Sequence, residues 1–91
     1  MNRIRRKTLA GIADQLEYLN EELDGLREAI EAARDEEIEA LDNLPDSIRD
    51  SEKGEAMEEA ANNLDDVLSE IDDAYHCIDN VIYYLSDIVN S

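Results

Sequence analysis

The feature that most constrains this chain is a pair of apolar seams separated by a single proline. In the first half Leu9, Ile12, Leu16, Leu19, Leu23, Leu26, Ile30 and Ala33 recur at alternating steps of three and four. That alternation is the heptad of a helix that lays one stripe along a partner helix. In the second half Met57, Ala61, Leu64, Leu68, Ile71, Tyr75, Ile78, Ile82, Leu85 and Val89 keep it without a break. Strand alternation of period two occurs nowhere. Between the seams lies NLPDSIRDSEKGE, which holds the only proline. Pro45 removes an amide donor and disfavours helical geometry at Leu44. The pattern predicts helix one over about residues 5–43, a turn over about 44–50 with Ile48 pointing inward, and helix two over about 51–90. Ser51 is the expected N-cap, and Glu52 and Glu55 suit the positive end of the helix dipole. Gly54, one step before Met57 in the seam, is the expected point of close backbone approach. The fold class is all-α: an antiparallel helical hairpin, one domain over residues 1–91, in which residue i faces about 97 − i.

A hairpin of this size buries little apolar surface unless it gains a second layer. The sequence supplies the means. Immediately before alternate seam positions of helix two stand Ala60, Val67, Ala74, Val81 and Ile88, an extra apolar column that widens the face beyond what one partner helix covers. In helix one, Gly11, Tyr18, Gly25 and Ala32 fall in one column where charged residues are expected. Each mid-helix glycine costs about 1 kcal/mol relative to alanine, so something is expected to pack there. These columns predict assembly into a four-helix bundle or a higher homo-oligomer, a dimer or larger, with Gly11, Tyr18, Gly25, Val67, Ala74, Val81 and Ile88 at the interface.

Charge is segregated as sharply as hydropathy. The first seven residues carry +4 from Arg3, Arg5, Arg6 and Lys7, and residues 8–91 carry −21, together the net −17. Such a body repels duplex nucleic acid and anionic membrane surfaces, so any phosphate-bearing ligand must bind locally. No stretch approaches the roughly 18–20 apolar residues of a membrane span, and no signal-peptide core follows the basic start, which predicts a cytoplasmic protein. Hairpin pairing sets RIRRKTLAG beside NVIYYLSDIVNS. Arginine forks next to the rings of Tyr83 and Tyr84 are what recognition of a phosphate and a nucleobase uses, so Arg3, Arg5, Arg6, Lys7, Tyr83 and Tyr84 form the candidate ligand site. The plainer reading is that the cations balance Asp14, Asp79 and Asp87 while the tyrosines pack with wet hydroxyls.

Catalytic and metal patterns are weak. EEAANNLDDVLSEIDD loosely resembles the paired acidic signature of all-helical nucleotide pyrophosphatases, through Glu58, Glu59, Glu70 and Asp73. It departs at Asn62, and its halves stand on one helix, where the carboxylates do not converge on magnesium. Asp73 and His76 have the spacing of a di-iron half-site but lie off the seam. The lone Cys77 has no partner for a disulfide or a zinc site and reads as a small apolar side chain on a helix flank. No nucleophile triad and no glycine-rich phosphate loop is present. Neither enzyme activity, a cofactor nor a metal is expected.

The turn segment NLPDSIRDSEKGEAMEEAANNLDD, with the opening RRKTLAGIADQLEYL, resembles a group of small acidic two-helix proteins common in phages and prophages. Its most distinctive residues are Leu44, Pro45 and Ser47 with Gly54, Glu55, Ala56 and Met57. The resemblance implies a mobile-element setting, in which short helical proteins without enzyme activity act as counter-defence inhibitors inside the bacterial cytoplasm. Two functions then compete. One is a sponge, an oligomer of hairpins that sequesters a nucleotide-derived immune signal at the basic end. The other is an acidic decoy that binds a host defence protein at its nucleic-acid-binding or active-site surface.

Overall fold

A computed structural model describes residues 1–91 and resolves three helices: α1 (Arg3–Asp42), α2 (Asp46–Arg49) and α3 (Glu52–Asn90). No strand forms. The long helices begin and end within two residues of the expected positions, for identifiable reasons. Asn2 caps α1, its Oδ1 accepting the Arg5 amide at 2.8 Å, which starts the helix ahead of residue 5. Pro45 stops it: α1 closes at Asp42, and the Pro45 carbonyl accepts from Ile48 and Arg49, both at 2.9 Å, to start the single turn of α2.

Two details of the turn differ from the sequence expectation, and the close approach expected at Gly54 is found. Ser51 occupies the N-cap position of α3, since its carbonyl accepts the Glu55 amide at 3.0 Å, but its hydroxyl donates backward to the Ile48 carbonyl instead of capping α3. Ile48 does not point inward; it is 39% exposed. The inward residue is Gly54, which is buried because the backbone of Arg49 lies directly over it. A Cβ there would overlap the Arg49 carbonyl oxygen and stand 2.7 Å from the Arg49 Cα, so this position needs glycine for space, its φ being negative.

The chain divides into two compact units. The open-end unit joins Met1–Gly25 to Asp72–Ser91, and the turn unit is Leu26–Ile71. In the open-end unit the Asn20 amide donates to the Tyr75 carbonyl at 3.1 Å, and Ala10, Ala13 and Asp14 share a cleft with Ser86, Val89 and Asn90. As α1 advances α3 recedes, so the helices are antiparallel. In the turn unit Arg34 Nη1 donates to Asp65 Oδ1 at 2.8 Å. These two pairings bracket the expected facing rule.

The seam of α3 is as expected except at Tyr75, which is exposed; Ala61 and Leu68 are buried. The seam of α1 is not. Leu9, Leu16, Leu23 and Ile30 do turn toward α3, but Ile12, Leu19, Leu26 and Ala33 are exposed, Leu19 by 47% and Leu26 by 60%. The inward places belong to Ala13, Asn20, Arg27 and Arg34, one residue further along. The cause is polar: Asn20 and Arg34 each make a hydrogen bond to α3 that an outward rotation of α1 would break. The apolar stripe of α1 is thereby turned about 50° away from the helix it pairs with, at about 100° per residue.

Candidate functional site

The first turns of α1 carry the charge anomaly into three dimensions. A helix N-terminus presents unpaired amides and the positive end of the dipole, which favour acids; α1 has none in its first turn and places Arg3, Arg5, Arg6 and Lys7 there instead. None of these four makes an ion pair. Asp14, Asp79 and Asp87, the expected balancing acids, pair with none of them. Arg6 is the one turned toward α3: it is partly buried, and its Nε is shut off from solvent without an acceptor. Successive 100° steps send Arg3, Arg5 and Lys7 outward in different directions.

Arginines elsewhere behave differently. Arg27 pairs with Glu31 at 2.7 Å. Arg34 reaches Asp65 at 2.8 Å and Asp35 at 3.0 Å, and its pKa is raised, first by the hydrogen bond to Asp65 and then by that to Asp35. A raised base is stabilised in its charged form. Its contribution to folding is therefore complete through neutral pH and is lost only as pH climbs through the folded-state value, in strong alkali. Arg49 donates to the carbonyls of Asp42 at 2.8 Å and Leu41 at 3.4 Å, supplying the cation and the donors that the C-terminus of α1 lacks of its own.

Tyr83 and Tyr84 stand 69% and 65% exposed, with ring centroids 5.9 Å apart at 71°. They form an edge-to-face pair on the outer surface of α3, and no hydrogen bond or cation–π contact joins them to the basic residues. The site is therefore brought together as a cationic helix start and a separate aromatic pair in one unit, rather than as a closed pocket. Gly11 and Gly25 have nothing within 4 Å of where a Cβ would stand, and Tyr18, Val67, Val81 and Ile88 are exposed, so the whole expected oligomer interface faces outward in the single chain. Cys77, read as an apolar flank residue, is exposed.

The clefts of the open-end unit lie on its acidic side. One is lined by Glu17, Asn20, Glu21, Tyr75, Asp79 and Ile82. A second is lined by Asp14, Glu17, Tyr18 and Glu21. The four carboxylates of the two clefts, Asp14, Glu17, Glu21 and Asp79, have no cationic partner. Asn20 sits at the base of the first cleft, 5% exposed, with Oδ1 buried and without a donor. Sequence reading passed over Asn20 because Leu19 completes a purely apolar heptad. The signal that finds it is the neighbouring column, Ala13, Asn20, Arg27 and Arg34, which keeps the same spacing and carries every arginine of mid-α1.

No family model matches the chain, and no similar curated protein or solved structure is found. No helix is long and apolar enough to cross a membrane.

Proposed function

We propose that this is a non-enzymatic protein of counter-defence type, which holds a nucleotide-derived signalling molecule by its phosphates at the start of α1 and works as a homo-oligomer of hairpins in the bacterial cytoplasm. The observation that carries the reading is the state of Arg3, Arg5, Arg6 and Lys7: four cations at the positive end of a helix, unpaired on a chain of net charge −17. Cations so placed run against the helix dipole, weakly at these exposed positions, and a bound anion would offset that. Arg6 is the cation held against α3 by partial burial, Arg3, Arg5 and Lys7 are the exposed donors, and Tyr83 and Tyr84 offer ring faces to a base. Titration calorimetry of the pure protein against cyclic dinucleotides and ADP-ribose derivatives tests it. Heat with one class, abolished by Arg6→Gln, is expected; no heat with any ligand refutes the reading.

A second reading has an observation of its own. Asp14, Glu17, Glu21 and Asp79 form an unpaired carboxylate array over two adjoining clefts, a surface that can imitate phosphates toward a basic host defence protein. Capture of such a partner at low salt and its release at high salt would favour this decoy over the sponge.

A further inference from the structure

We infer that a second copy of this chain covers one particular flank of the open-end unit: Ile12 and Leu19 of α1 with Val81 and Ile88 of α3. The inference rests on the assembly proposed above and names its surface.

Two antiparallel helices are related by a twofold axis normal to the plane of their axes, so equivalent heptad positions on both lie on the same side of that plane. The observed contacts fix which side is which. In the open-end unit, residues four after the inward column, Glu17 on α1 and Asp79 on α3, gather on the acidic side, around the first cleft. Residues one before the inward column must then gather on the opposite side. In the open-end unit these are Ile12 and Leu19 on α1, and Ala74, Val81 and Ile88 on α3. Most are exposed, and none is ionisable.

Burial and charge identify the occupant. Only Ala13, Ala61 and Leu68 form a buried apolar core, so the single hairpin lacks the interior that a stable fold needs. The flank is also self-complementary. It sets Ile12 and Leu19 on α1 beside Ala74, Val81 and Ile88 on α3, and an isologous twofold contact lays the α1 column of each copy against the α3 column of the other. A basic partner would seat on the carboxylates, not on a flank that carries no ionisable residue on a chain with net charge −17.

Sedimentation equilibrium of the full chain is the test. The expected species has twice the 10.3 kDa chain mass. It tightens as salt rises, because screening weakens repulsion between two polyanions. Leu19→Ala or Val81→Ala should weaken it about a hundredfold with helicity intact, since alanine is the best helix former, while outward-facing Gln15→Ala leaves it unchanged. A single copy at every salt and concentration overturns the inference, and so does an assembly indifferent to Leu19→Ala. The nucleotide titration fails separately: a dimer that binds no nucleotide keeps this surface and removes the ligand reading, and a single copy that binds one does the reverse.

Discussion

The two units are built from the same two helices yet settle their polar groups in opposite ways. In the turn unit Arg27, Arg34 and Arg49 each have a carboxylate or carbonyl partner, with Lys53 alone making no ion pair, and the one buried glycine is covered by backbone. In the open-end unit four cations lack partners, a buried amide oxygen lacks a donor, and both glycines face open space. A region whose groups satisfy one another is finished as a fold. One that leaves cations, an amide and an apolar flank unanswered is shaped for something else to meet them.

Glycine to alanine is the largest break in this comparison, because it should change sign between the units. Gly54→Ala forces a Cβ into the Arg49 backbone, and destabilisation of about 3 kcal/mol in urea or thermal unfolding is expected. Gly11→Ala meets nothing within 4 Å and should stabilise by about 0.5–1 kcal/mol through helix propensity alone. A loss at Gly11 instead would show that a partner packs against that column in solution.

The inward polar residues give the next contrast. Asn20→Leu removes a buried acceptor that has no donor, so stability should rise by about 1 kcal/mol while the register of pairing becomes less well specified. Arg34→Leu strands Asp65 and Asp35 and should lower stability. The same unfolding experiments read both. The smallest effect belongs to the basic start: Arg3→Gln with Lys7→Gln breaks no ion pair, so unfolding should shift by less than about 0.5 kcal/mol even as nucleotide binding falls.

Element order, antiparallel pairing and the need for glycine at residue 54 were legible because each follows from periodicity or from a residue with one structural habit. The facing side of α1 was not. Two heptad columns overlap there: one reads Ile12, Leu19, Leu26 and Ala33, the other Ala13, Asn20, Arg27 and Arg34. Apolarity selects the first, while cross-helix hydrogen bonding in the hairpin selects the second. Sequence alone lacks the positions of Tyr75 and Asp65 that decide between them. The hydroxyl of Ser51 escaped for a similar reason, since capping preference describes isolated helices and the Ile48 carbonyl competes for the donor here. For the ligand site, the clustering of cations was plain in the chain, whereas their lack of partners and the separation of the tyrosine pair needed coordinates.

The central claim is that Leu19 faces away from α3 and toward a second chain. In a Cys77→Ser background, thiol labelling of Leu19→Cys measured across protein concentration tests it directly. The account predicts fast labelling when dilute and progressive protection as concentration rises, with Gln15→Cys unaffected throughout. Slow labelling at high dilution, or a rate that ignores concentration, would contradict it.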